Sequence, residues 1–131
     1  MFVDASALVA IIAEEEDGAE LAGRLDQAPQ AYTSPVALYE TTLGLVRILR
    51  FSIADADSIL VEFLERTGIQ IVPITAEIGR GAIGAFQQFG RGRHAARLNM
   101  GDCFAYACAQ ALDVPLLFKG DDFSQTDIAV A

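Results

Sequence analysis

Acidic residues stand at three places where this sequence passes from apolar chain into a turn or helix, and at a fourth inside a largely apolar helix. Asp4 follows "MFV". Glu40 lies inside "SPVALYETTLGLVRIL", and its helical neighbours include Val36, Ala37, Leu43 and Leu45. Asp102 sits in the first turn of "LNMGDCFAYACAQALD", just ahead of Phe104, Tyr106 and Ala107. Asp121 and Asp122 follow "PLLF". A charge at the edge of an apolar segment is costly unless something pairs with it. Carboxylates gathered on one rim would repel each other, and hard divalent cations such as Mg²⁺ or Mn²⁺ take oxygen ligands. Such a site can activate a water and hold phosphate oxygens, the logic of metal-assisted phosphodiester cleavage. Each acid alone has a plainer use. Asp102 could favour the helix dipole, Asp4 could cap the next helix, Asp121-Asp122 could be an ordinary turn, and Glu40 could be solvated. The four placements together point to chemistry.

The elements that must position these acids are legible from periodicity and punctuation. "MFV" reads as a short buried strand, with Ser6 as N-cap of a helix from Ala7 to about Glu16. Asp17 and Gly18 break it, and a second helix runs to about Gln27. "AYTS", residues 31–34, is strand-like. Ser34-Pro35 supplies a cap and a first-turn proline for a helix to about Arg50. Ser52 caps a helix that ends at Gly68. "IQIVPI", residues 69–74, reads as a β-branched buried strand. Thr75 caps a helix to about Phe89, weakened by Gly79, Gly81 and Gly84. "GRGRHAARLN" is a basic loop, the Asp102 segment a helix, "PLLF" a strand and "KGDDF" a turn. Strands that read as continuous apolar runs and alternate with helices predict an α/β fold. Its central sheet would be mostly parallel, of four to five strands, with helices on both faces. In such sheets ligands bind beyond the carboxyl ends of the strands, where Asp4 and Asp121-Asp122 stand.

Length and composition set bounds. A chain of 131 residues predicts one domain, 1–131. It is 53% hydrophobic, which excludes disorder, and its 18 Asp plus Glu against 9 Lys plus Arg give a net charge of −9. Bulk charge therefore cannot attract a polyanion. A local basic patch or a metal ion would be needed. Arg91, Arg93 and Arg97 supply such a patch beside His94. They would grip the phosphates of a polyanion, or else form a solvated surface loop. Cys103 and Cys108 lie on different faces of one helix and read as small buried hydrophobes in a reducing compartment. The apolar run from Ala5 to Ala13 falls far short of the ~18 residues of a membrane span. No basic segment precedes it, so a soluble cytoplasmic protein without a membrane partner is expected.

Four segments, "MFVDASALVAII", "SPVALYETTLGL", "LNMGDCFAYACA" and "LLFKGDDFSQTDI", resemble the signature segments of the PIN domain, most closely the VapC-type toxins of bacterial toxin–antitoxin pairs. The resemblance covers the whole chain, in order. It implies a Mg²⁺- or Mn²⁺-dependent endoribonuclease that hydrolyses RNA phosphodiester bonds by a metal-activated water. Asp4, Glu40 and Asp102 match the acidic triad. Asp4 and Asp102 would ligate the metal with Glu40 and Asp121 in support, and Asp122 is the alternative to Asp121. Ser6 matches a hydroxyl that orders the site, and Asn99 fits the pattern before the third acid. The resemblance also implies a homodimer held inactive by a cognate antitoxin, whose tail lays apolar residues in a groove. "ALVAIIA" and "AELAGRL" could line that groove or be plain core. The alternative from another class is a non-catalytic phospho-receiver-like Mg²⁺-binding module, which Lys119 would suit. A dehalogenase-type phosphatase would need an Asp where Ser6 stands.

Overall fold

Short apolar runs become strands, and longer periodic ones become helices. The computed structural model describes residues 1–131. Its elements run β1 (Phe2–Val3), α1 (Ala5–Ile12), α2 (Gly18–Asp26), β2 (Tyr32–Thr33), α3 (Pro35–Leu49), α4 (Ile53–Thr67), β3 (Gln70–Ile71), α5 (Ala76–Phe89), α6 (Met100–Leu112) and β4 (Leu116–Leu117). A short 3-10 turn, Asp122–Gln125, follows β4. Ser34, Ser52 and Thr75 cap α3, α4 and α5 as expected, each side chain accepting one otherwise orphaned backbone N–H.

The four strands are all parallel, in the order β3-β2-β1-β4. Phe2 pairs with Leu116 and Val3 with Leu117. Side chains alternate across a strand, so these pairs feed two cores. Phe2 and Leu116 pack with α5 and α6, while Val3 and Leu117 pack with α1, α2 and α4. All four are fully buried, each contributing about 1.5–3 kcal/mol. Helices thus cover both faces, and the expected α/β architecture with a parallel four-stranded sheet is what forms. Gly81 does not break α5. A methyl there would stand 3.3 Å from the Ala107 side chain, so the glycine sits where α5 crosses α6 closely. The apolar stripes of α1 and α2 are core: Ala7, Leu8, Ala10, Leu21 and Leu25 are buried. Cys103 and Cys108 are free and buried, and burial pushes both thiols up to about 11. No helix is long and apolar enough to cross a membrane.

Three local expectations are corrected. The N-cap of α1 is Asp4, not Ser6: Asp4 is extended and its carboxylate accepts the Ser6 N–H, so the helix starts two residues earlier. The same helix stops at Ile12 rather than near Glu16, with Glu14 left-handed at φ 53. Carboxylates gain nothing at a helix C-terminus, and here Glu15 and Asp17 turn toward Lys119. The 69–74 segment is not a buried strand throughout. β3 is the sheet edge, with Gln70 and Ile71 exposed.

Candidate functional site

Parallel strands end on one side, and the chain leaves β1 there directly into Asp4. The Asp4 N–H donates to the Leu117 carbonyl at 3.0 Å, which fixes it beside the end of β4. Its carboxylate Oδ2 accepts from the Ser6 N–H at 3.0 Å and the Ser6 hydroxyl at 2.5 Å. The Ser6 Oγ in turn accepts the Lys119 N–H at 3.0 Å. That acceptance leaves the hydroxyl proton directed at Asp4, so the start of α1 and the turn after β4 hold one carboxylate between them. Asp4 is 5% exposed. Burial pushes its proton affinity up, against the pull of the Ser6 hydrogen bonds, and the charge of Asp122 adds to the rise.

Asp102 is fixed just as firmly by a capping box at the start of α6. Asn99 Oδ1 accepts the Asp102 N–H at 2.9 Å, and Asp102 Oδ2 accepts the Asn99 N–H at 3.0 Å. Burial raises Asp102 to about 6. The Asn99 N–H opposes the rise, the Asp4 and Asp122 charges add to it, and the Arg91 charge lowers it. Glu40 comes from the second turn of α3, on the side that meets α6. Its carboxylate lies against the backbone of Gly101, in space that a side chain at 101 would fill. Burial, then the charges of Asp4 and Asp102, raise Glu40 to about 7.

Asp4, Glu40 and Asp102 therefore share one electrostatic neighbourhood, though they are far apart in sequence. Asp122 joins them through its charge on Asp4 and Asp102. Asp121 and Asp122 both line a cleft of about 330 Å³ with Asp102, Asn99, Arg91 and Arg97. Arg93 does not border that cleft: its guanidinium sits 5.6 Å from the Phe86 ring centroid. His94 is occupied locally, Nδ1 accepting the Ala96 N–H at 3.0 Å and the ring edge-on to Phe89.

The donor set fits a hard divalent cation in its chemistry. It is all oxygen, and none of these acids is in an ion pair: the salt bridges are Glu20–Arg24 and those of Lys119 with Glu15 and Asp17. The positions are not closed, since no three His, Cys, Asp or Glu side chains surround one metal-sized point. Mutual repulsion of like charges works against such closure. Two participants escaped the sequence reading. The Lys119 main chain has no side-chain signal and is found only by the fold. Gly101 had one: a glycine in a helical first turn, directly before the acid.

The chain is similar to known proteins over nearly its whole length. The family described as PIN domain matches residues 1–129. Ribonuclease VapC42 of Mycobacterium tuberculosis is 39% identical over 132 residues, covering 100% of this chain and 98% of that one. Ribonuclease VapC of Mycolicibacterium smegmatis is 37% identical over 129 residues, 98% of each. Among solved structures, Mycobacterium tuberculosis VapC20, described as a sarcin-ricin loop cleaving toxin, superposes with a TM-score of 0.76 at 21% identity, over 99% of this chain and 97% of that one. A toxin–antitoxin complex from Klebsiella pneumoniae gives 0.72 at 16% identity, over 99% and 95%. At those identities the structures show the fold.

Proposed function

The chain belongs to the PIN domain family, and from that premise we propose that it is a VapC-type toxin, a metal-dependent endoribonuclease restrained by a cognate antitoxin. One observation carries the chemistry. Three carboxylates from three separate elements, Asp4, Glu40 and Asp102, share the rim of a parallel sheet. Each has its proton affinity raised by burial, and no cationic side chain is paired with any of them.

Asp4 and Asp102 would hold Mg²⁺ or Mn²⁺, with Glu40 and one acid of the 121–122 pair in support. When bound, such a cation supplies Lewis-acid activation of water and neutralises phosphate charge. The chain's own residues do the rest. Ser6 and the Lys119 N–H keep Asp4 aimed. Asn99 keeps Asp102 aimed. Glu40 is raised to about 7 by burial and the charges of Asp4 and Asp102 in the metal-free chain, and a cation held by those two acids would favour its ionised form. Arg91 and Arg97 border the acid cleft and would take the phosphates flanking the scissile bond. We take Asp122 as the fourth acid because its charge is the one felt by Asp4 and Asp102. Asp121 remains its neighbour in the cleft. The names borne by relatives, a sarcin-ricin loop cleaving toxin and a toxin–antitoxin complex, support a structured RNA as substrate and a protein antitoxin as partner. A homodimer acting in the cytoplasm belongs to the same reading. The phospho-receiver alternative draws no support from Lys119, whose ammonium is paired with Glu15 and Asp17.

Expression in a bacterial host tests this. Wild type should arrest growth, and the purified protein should cleave structured RNA with Mg²⁺ or Mn²⁺ but not with chelator. Asp4→Asn should be harmless and at least about a hundredfold slower, a loss of about 2.7 kcal/mol or more of transition-state stabilisation. Equal growth and equal cleavage by both soluble proteins would refute it.

A further inference from the structure

We propose that Gly101 is a positioning residue: its missing side chain is what admits the Glu40 carboxylate to the acid rim. The proposal rests on the nuclease reading of the site but concerns a residue with no reactive group of its own. A β-carbon built on Gly101 would overlap both carboxylate oxygens of Glu40 and their carbon. Nothing in the backbone demands glycine here. Residue 101 lies in the first turn of α6, and the positive-φ glycines are Gly68, Gly92 and Gly120. Alanine is the better helix former, so the glycine stands against local propensity and has to be explained by space.

The other crowded glycines are crowded by different things. Gly18 meets the Ala10 carbonyl, Gly44 a methyl of Val9, and Gly90 the ring and carbonyl of Phe86. Those neighbours belong to packing. At Gly101 alone the neighbour is an ionisable group, and it is the far end of a flexible, half-buried side chain. A methyl at 101 is therefore accommodated by swinging the carboxylate away. The helix survives, and the rim loses an acid.

Two measurements separate the contact from the role. The contact is read in metal-free protein by thermal melts of wild type, Gly101→Ala, Glu40→Ala and the double variant. Gly101→Ala should raise Tm in the Glu40→Ala background, where the helix gains and nothing is displaced. It should give a smaller gain or a loss when Glu40 is present. The same shift in both backgrounds would overturn the contact. The role is read by cleavage and by the Tm gain on adding Mn²⁺. Gly101→Ala, with its metal-free fold retained, should cleave at least tenfold more slowly and gain less from Mn²⁺. The substitution should cost less in a Glu40→Asp background, where the carboxylate is one methylene shorter. Wild-type cleavage by Gly101→Ala, or an equal cost in both backgrounds, would overturn the role. A wild type that neither cleaves RNA nor responds to Mn²⁺ would instead sink the nuclease reading, and the metal-free cycle would still decide the contact.

Discussion

The acids and the arginines meet at one cleft, where Asp102, Asp121 and Asp122 face Arg91 and Arg97, and the two groups are held in opposite ways. Asp4 and Asp102 are locked by hydrogen bonds that belong to helix caps. Their desolvation and mutual repulsion are built into the fold before any ligand arrives. Arg91, Arg93 and Arg97 are exposed, and none is in an ion pair. What is fixed there is the loop itself, through the bridge of Gly90 with Leu98 and the left-handed Gly92 and Arg97. A pre-strained acidic rim suits a compact cation of definite charge. A set of solvated guanidinium groups on a shaped loop suits a polyanion whose phosphates are many and similar. On the proposed reading the first serves chemistry and the second grip, and they should fail differently when altered.

The largest effect should come from within the acid set and would sharpen its membership. The charge of Asp122 helps raise Asp4 and Asp102, while Asp121 shares only the cleft that both line with Asp102. Asp122→Asn should slow cleavage at saturating RNA by roughly tenfold or more, about 1.4 kcal/mol of barrier. Asp121→Asn should cost clearly less. The reverse ranking would transfer the fourth place to Asp121.

How much of this was legible beforehand follows the same division. Asp4, Glu40 and Asp102 could be read because each interrupts an apolar pattern at an element boundary or on a packed helix. The sheet was readable because its strands are apolar runs between caps. The choice between Asp121 and Asp122 could not be read. Adjacent residues in a turn differ in direction rather than in pattern, and direction comes from the 3-10 turn that starts at Asp122. Serine is a good helix cap, so the sequence points to Ser6 as the cap of α1. Asp4 is an equally good one two residues earlier, and its hydrogen bond to Leu117 sets the position. The edge position of β3 depends on strand order, which composition does not carry. The grouping of the arginines was visible, but that Arg93 turns to Phe86 while Arg91 and Arg97 face the acids was not.

A middle-sized effect tests the grip. Replacing Arg91 and Arg97 with Ala should weaken RNA binding and flatten its salt dependence, by roughly 0.7 in the log–log slope for each phosphate no longer neutralised. Arg93→Ala should change the slope least, because its guanidinium is placed over a ring. Binding titrations across a salt series check this. A slope unchanged in the Arg91→Ala, Arg97→Ala double variant would return the loop to ordinary solvated surface.

The smallest effect tests whether the acids are strained in the folded chain itself. In metal-free protein Glu40 is raised to about 7 and Asp102 to about 6, from ordinary values of 4.5 and 3.8, and Asp4 is raised too. Between the ordinary and the raised values the folded state holds more protons than the unfolded state. By linkage, stability from these groups is lost as pH climbs through about 6 to 7 and is regained as pH falls toward about 4. Asp102→Asn deletes one of the titrating charges and relieves its neighbours. The amide oxygen can still accept the Asn99 N–H, so the capping box is kept, while the negative charge at the α6 N-terminus is lost at about 0.3–1 kcal/mol. The two consequences oppose each other at high pH and separate on titration. At pH 8 the variant should melt at or above wild type, because relief of repulsion and desolvation offsets the lost dipole interaction. By pH 4.5 the wild-type carboxylates have taken up their protons, so the relief has vanished and the variant's advantage should shrink. Melts of both proteins in chelator at several pH values read this difference directly. A difference that stays flat with pH, or that favours the variant more strongly on acidification, would mean that Asp102 is an ordinary helix-capping carboxylate and that the rim holds no built-in repulsion.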